Sequence, residues 1–372
     1  MALSRGAIVL TAVDAVSAPS RAERPPPAKR RWPRAALQLG LFLLMAFNIE
    51  LLCQNLLYAS NLESPNAIWR LDPIRGRSPS RAFLASQRLN RHGLRGVDPP
   101  STFPPDEVRV MCFGSSVTYG WRNDEASSYP VQLEPLLLRE RPSVRVYNAG
   151  WPSFTTCEMT ALLVELEPVY RPHIVTIMCG VNDLPRERGG TGLQPYRLLQ
   201  PDAARAVFRQ GGLIDGVRSV LYRSATYRYL SFRLRGWAPH PTEGMAVVPG
   251  RDAAETASLT MSVDNLTIFA AYARERSIKV LLIDEATRPS FTDPAPMQAM
   301  RATHAALAQR VGLGYLDMGA ALGASGLSED VLFQPRDLIH LTPEGNKAAA
   351  RAIASRLSEL GWLRAVEPYR TP

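Results

Sequence analysis

From residue 108 onward the chain alternates two hydrophobic rhythms. Short apolar runs rich in Val, Ile and Leu predict strands over Val108–Phe113, Val144–Tyr147, His173–Met178, Lys279–Ile283 and Gly314–Leu316. Between them, longer stretches with apolar residues every three or four positions predict helices over Tyr129–Arg139, Thr156–Tyr170, Thr256–Arg276, Met297–Val311 and Pro343–Leu360. Strands that are apolar on both faces and alternate with helices predict an α/β fold, a parallel sheet between two helical layers. Residues 184–255 break the rhythm and read as an insertion rich in Arg, Gly, Pro and aromatics. Within it Val217, Leu221, Ser224, Tyr227, Leu230 and Leu234 recur at helical spacing, interleaved with Arg218, Arg223, Arg228, Arg233 and Arg235. That pattern fits a helix with a solvated basic face. It also fits a lid, or a face for anionic polysaccharide or lipid headgroups.

The first hundred residues follow another pattern. Residues 35–59 are apolar enough and long enough to cross roughly 30 Å of hydrocarbon, with Leu39 to Phe47 unbroken. Gln38, Asn48, Glu50, Gln54 and Asn55 interrupt the stretch without sharing one helical face, which argues against a helix lying in the interface. Residues 1–34 are read as a disordered basic tail. Arg21, Arg24, Lys29, Arg30, Arg31 and Arg34, offset by Glu23, contribute +5 of the formal net charge of +9. A basic flank predicts a cytoplasmic N-terminus and an exported remainder, periplasmic or extracellular. Leu57-Tyr58-Ala59 is a poor small-x-small cleavage site, so an anchor is favoured over a cleaved signal peptide. Prolines at 65, 73, 79, 99, 100, 104 and 105 mark residues 60–104 as a linker, and residues 105–365 as the main domain. The part beyond the tail is only mildly basic, so no nucleic-acid partner is expected. The cysteines Cys53, Cys112, Cys157 and Cys179 lack ligand spacing; no metal or cofactor is expected, and buried apolar roles are.

Four short segments carry the candidate chemistry. Gly114-Ser115-Ser116-Val117-Thr118-Tyr119-Gly120, Asn148-Ala149-Gly150 and Gly180-Val181-Asn182-Asp183 each follow a predicted strand, and Asp337-Leu338-Ile339-His340 precedes the last helix. Ligands of an open parallel sheet sit beyond the carboxyl ends of its strands. A serine on a tight turn there presents its hydroxyl and its N–H to the crevice. The three-residue offset from Asp337 to His340 lets a carboxylate reach the imidazole within one turn, leaving the other ring nitrogen to take the serine proton. Taken singly, the same residues also suit turn serines, turn asparagines and a capping aspartate.

These segments resemble the SGNH hydrolases, also called the GDSL lipase and esterase superfamily, over about Glu107 to Leu360. The resemblance implies a flavodoxin-like, five-stranded three-layer α/β/α sandwich. It implies Ser116 as nucleophile, His340 as general base, Asp337 as its orienting acid, and an oxyanion hole from Ser116 N–H, Gly150 N–H and the Asn182 amide. The name-giving Gly-Asp-Ser-Leu reads Gly-Ser-Ser-Val here, with Ser115 in place of the Asp. Asn90 to Gly96 also resembles the lead-in of many exported bacterial members. Asp183 is expected to brace the Asn182 loop. Tyr119, Trp121 and Trp151 flank the site, as sugar-stacking groups or as core. His92, His173, His240 and His304 are expected in surface or packing roles. The leading expectation is a serine esterase that removes short acyl groups from an envelope polysaccharide or similar ester. The alternatives are O-acyl transfer at the same site, and a catalytically silent carbohydrate-binding module.

Overall fold

The computed structural model describes residues 34–59, 69–72, 76–87, 89–183, 217, 220–221, 223–235, 253–288 and 295–364. The basic tail and most of the 184–255 insertion lie outside the described residues. The chain divides into two units, Met1–Asn48 and Ile49–Pro372.

Helix α1 spans Arg34–Ala59. Its residues 34–57 are long and apolar enough to cross a membrane. Leu39, Leu41, Phe42, Leu43, Leu44 and Phe47 are all exposed. In the larger unit, two of the polar residues that interrupt the apolar run have a structural account. The Glu50 carboxylate accepts from Ser224 Oγ (2.8 Å), from the N–H groups of Ala225 and Thr226 (3.1 Å for the latter), and from Thr226 Oγ1 (2.8 Å). It thereby serves the orphan N–H groups at the start of helix α6 (Ala225–Arg235). Gln54 Oε1 accepts from Arg228 (3.1 Å). The expected helix in the insertion therefore exists over part of its predicted length. Among its described residues Val217, Val220, Leu221 and Leu230 are exposed.

Among the described residues, the stretch read as a linker holds regular structure. Strands β1 (Trp69–Asp72) and β2 (Gly76–Pro79) pair antiparallel, and α2 covers Arg81–Gln87. Phe83 and Leu94 are buried in the main core, Phe83 packing 6.1 Å from the Trp151 ring and 6.2 Å from Tyr119. Apolar side chains such as Phe83 and Leu94 fasten the segment to the domain.

Five strands make the parallel sheet: β3 (Val108–Gly114), β4 (Val144–Gly150), β5 (Ile174–Cys179), β6 (Lys279–Asp284) and β7 (Gly314–Asp317), in the order β4-β3-β5-β6-β7. This is the predicted architecture. Every residue of β3 and β5 is buried, as central parallel strands require. Alternate side chains feed two cores. Met111 and Phe113 face the core shared with α5 (Thr156–Tyr170), α7 (Ala253–Glu275) and α8 (Ala295–Val311). Val110 and Cys112 face the core shared with α4 (Tyr129–Leu137), α9 (Met318–Gly323) and the closing helix, here α11 (Pro343–Glu359). Strand β4 outruns its predicted end at Tyr147, because Asn148, Ala149 and Gly150 pair in register with Cys112, Phe113 and Gly114. The four cysteines are buried and none forms a disulfide.

Candidate active site

The turn after β3 is built by its sequence. Ser115 has extended backbone (φ −86°) and caps the one-turn helix α3 (Ser116–Tyr119), which Gly120 ends in the left-handed region (φ 79°). Gly114 has to be glycine, since a Cβ there would collide with Thr118 Oγ1 where the chain folds back. The far side of the turn is held by Arg95, whose guanidinium donates to the carbonyls of Tyr119 (3.0 Å) and Asn123 (3.1 Å) and lies 4.2 Å from the Tyr119 ring centroid. The Asn90–Gly96 lead-in, which carries no motif-based role, thus braces the serine turn.

Ser116, the first residue of α3, is almost fully buried, and His340 Nε2 lies 2.9 Å from its Oγ. On the other side of the ring, His340 Nδ1 is 2.8 Å from Asp337 Oδ2. The Asp–His contact differs from the helical turn expected. Residues 333–341 form a loop closed by the Phe333–Leu341 bridge, and Arg336 has φ 60°. Asp337 Oδ1 accepts from the N–H groups of Ile339 and His340, both at 3.0 Å, so one carboxylate oxygen shapes the backbone while the other holds the imidazole. The same carboxylate thus caps the short turn 337–340 and contacts the imidazole. Burial alone would raise the Asp337 carboxyl, but these hydrogen bonds outweigh it and hold the group at about 2. Arg122 approaches Asp337 Oδ2 at 3.4 Å from solvent, where such a pair contributes little.

The oxyanion candidates are less uniform. Gly150 ends β4 beside Gly114, and its N–H donates to Asn148 Oδ1 at 2.9 Å. A Cβ on Gly150 would run into the α3 backbone at Tyr119 and Thr118. Its visible role is close packing, with its amide engaged inside the protein rather than turned to a substrate. Asn182 follows β5 by three residues, is buried, and donates from Nδ2 to the Phe154 carbonyl (3.1 Å). Asp183 Oδ1 accepts from Thr156 N–H (3.0 Å) and Oγ1 (2.7 Å), tying the Asn182 loop to the start of α5 as anticipated.

Two further residues were not anticipated. Arg288 donates to the carbonyl of Asp337 (3.1 Å) and to those of Phe333 (3.2 Å) and Gln334 (3.3 Å), pinning the histidine loop. Glu285, just past β6, accepts from Ser115 Oγ and from Val181 N–H (2.9 Å). Burial, together with the Asp183 and Asp284 charges, pushes its carboxyl up to about 7. An Arg in a loop and a Glu after a strand carry no motif, and only the strand-end position of Glu285 hinted at the site. Of the flanking aromatics, Tyr119 and Trp151 are core residues stacked 6.2 Å apart, and Trp121 alone is partly exposed.

The other described histidines serve packing. His173 Nδ1 accepts from Arg109 N–H (3.1 Å), and burial, aided by the Arg109 and Arg141 charges, lowers its pKa to about 4, so it is neutral. His304 lies between Asp284 Oδ1 (2.6 Å) and Ser262 Oγ (3.1 Å). This second Ser–His–Asp chain is sealed in the core and joins β6, α7 and α8 where no substrate enters.

The sequence model of the GDSL-like lipase/acylhydrolase family matches residues 112–348, well over half the chain and all four motif segments. The chain belongs to that family. It is a carboxylic ester hydrolase. Among solved structures, similarity extends to a catalytic mutant of Axe2, an acetylxylan esterase from Geobacillus stearothermophilus (18% identity, 69% of this chain and 97% of that one, TM-score 0.42). TesA is similar at 18% identity over 68% of this chain and 99% of its own, with a TM-score of 0.43. A member of the lipolytic protein G-D-S-L family from Veillonella parvula DSM 2008 gives 15% identity, 68% and 97% coverage and a TM-score of 0.38. Comparison with the curated proteins returned no match.

Proposed function

We propose that the hydrolase cleaves esters through an acyl-enzyme on Ser116, with His340 as general base and Asp337 holding the imidazole tautomer. The observation that carries this reading is the unbroken chain from Ser116 Oγ to His340 Nε2 (2.9 Å) and from His340 Nδ1 to Asp337 Oδ2 (2.8 Å). With Nδ1–H donated to the carboxylate, Nε2 offers its lone pair to the serine proton. The proton then passes to the leaving alcohol, and water reverses the sequence. The Ser116 N–H and the Asn182 side-chain amide are assigned to the developing oxyanion. Gly150 N–H joins them only by exchanging Asn148 Oδ1 for the substrate oxygen. Asn182→Ala is expected to lower kcat roughly 10²–10³-fold, about 3–4 kcal/mol of transition-state stabilisation, with little change in KM. A wild-type kcat in this variant would assign Asn182 to loop structure alone.

The substrate assigned is a short acyl ester, such as acetyl, on an envelope polysaccharide or similar carrier. Tyr119, Trp151 and Phe154 are buried and pack on one another beside the serine turn, which we read as leaving room for a short acyl group only. Turnover of aryl esters should therefore fall steeply from acetyl to long chains. The same assay with added glycan acceptor separates hydrolysis from acyl transfer by the product formed. The apolar α1 and the basic run Arg21–Arg34 support a single-pass anchor with the catalytic domain exported. A reporter active only after export, fused after Pro372, is expected to be active, and the protein to stay with membranes through a high-salt wash. Salt-labile attachment would point to the arginines of the insertion, since exposed charges are screened within about 10 Å at 0.1 M salt. Release of a form starting near Ser60 would show a cleaved signal peptide.

A further inference from the structure

We propose that Glu285 is a positioning residue for this hydrolysis, its carboxyl group locking the turn that carries Ser116 to the loop that carries Asn182. The inference rests on the serine mechanism proposed above and extends it to a strand that supplies none of the assigned catalytic groups.

The geometry comes from the strand order. Strand β6 lies two places from β3, with β5 between them. Its Asp284 is level with Cys179, the last residue of β5, and Glu285 N–H donates to the Cys179 carbonyl (3.1 Å). That bond seats Glu285 over the end of β5. From there one carboxyl oxygen accepts from Ser115 Oγ, and the other accepts from Val181 N–H at 2.9 Å. Ser115 is the residue before the nucleophile and the cap of its helix; Val181 is the residue before Asn182. A planar carboxyl with both oxygens engaged fixes the spacing of the two segments, which a single hydrogen bond leaves adjustable.

The choice of residues is informative. Glu285 is essentially fully buried, beside the Asp183 and Asp284 carboxylates, and a carboxyl in such a place is costly. Two buried donors need acceptors, but a backbone carbonyl or an amide serves that need without a charge. A hydroxyl opposite the carboxyl is also specific. Ser115 Oγ donates to a carboxylate and accepts from a carboxylic acid, so the link survives in either protonation state. The side chain before the nucleophile is thereby matched to the residue that ends β6.

The test uses the full-length, detergent-solubilised protein, with aryl acetate turnover and the rate of fluorophosphonate labelling as readouts. Glu285→Ala, folded by circular dichroism, is expected to lower kcat and the labelling rate together by roughly 10²-fold, the cost of an ångström-scale misplacement. KM should change by less than about twofold, because the loss falls on the transition state. Glu285→Gln keeps an acceptor for Val181 and a polar partner for Ser115, and should recover most of the rate. The double variant Ser115→Ala/Glu285→Ala should be no slower than Glu285→Ala alone, because the two residues act through one contact. Wild-type kcat in folded Glu285→Ala, a loss confined to KM, or additive effects in the cycle would each overturn the inference. If Glu285→Ala does not fold, the cycle is run with Glu285→Met, which removes both acceptors at similar volume; non-additivity with Ser115→Ala supports the link and additivity overturns it. Ser116→Ala serves as the control. Turnover surviving in that variant removes the serine mechanism itself, whereas its loss alongside full activity in Glu285→Ala removes only the role of Glu285.

Discussion

Replacing Ser116 by alanine is expected to lower kcat by about 10⁵–10⁶-fold and to abolish fluorophosphonate labelling. No other described hydroxyl combines contact with a solvent-reachable, partly buried Asp–His pair and a place at a strand end. Ser262 contacts a histidine but is sealed in the core. Ser115, the neighbour that competes with Ser116 in the sequence, has its hydroxyl on Glu285 and is equally buried. Sealed from solvent, the Ser115 hydroxyl cannot meet an ester even with a carboxyl group beside it. Ser115→Ala should therefore still be labelled, at a reduced rate, while Ser116→Ala is not. Mass spectrometry of the labelled peptide checks both, since the adduct resides on residue 116. The reverse pattern, labelling in Ser116→Ala and none in Ser115→Ala, would assign the nucleophile to Ser115.

The sheet was legible because its strands are buried on both faces, so each reads as an unbroken apolar run whatever its neighbours. Strand ends were harder. Asn148-Ala149-Gly150 looks like a turn by composition, yet it continues β4, because the close approach of α3 demands glycine at 150 and the ladder to β3 continues to that point. The residues of the triad were legible because their chemistry restricts them to a few types at fixed offsets. The supports were not. Arg95, Arg288 and Glu285 act by reaching carbonyls, hydroxyls and N–H groups that are distant in sequence, and nothing local marks an arginine or a glutamate for that work. The role of Gly150 is open to two readings for a related reason. A glycine at a strand end serves equally as amide donor or as room for a neighbouring helix, and only the partner of its N–H distinguishes the two. Glu50 read as a flaw in an apolar helix until its partners at the start of α6 were known.

Asp337→Asn is expected to lower kcat by about 10⁴-fold with the fold intact. The reason lies in how the two carboxylate oxygens divide their work. Oδ1 takes two backbone N–H groups, those of Ile339 and His340, and Oδ2 faces His340 Nδ1. In asparagine the carbonyl oxygen has to remain with the backbone donors, because an NH₂ group there would oppose both of them. The NH₂ then faces the imidazole, so Nδ1 becomes the acceptor and the ring proton moves to Nε2. A protonated Nε2 cannot take the proton of Ser116. The loss should therefore appear in kcat, with KM little changed. The same hydrogen bonds fix the sign of the pH dependence of stability. They outweigh burial and hold the Asp337 carboxyl at about 2 against an ordinary 3.8, so the ionised form is favoured in the folded state. Its stabilising contribution is complete above the ordinary value and is lost as pH falls through 3.8 towards 2. Melting temperatures of wild type and Asp337→Asn should accordingly differ at neutral pH and converge in that acid window. A variant within tenfold of wild-type kcat would remove Asp337 from the triad, and a melting difference that persists unchanged below pH 2 would show that its carboxylate contributes no stabilising charge.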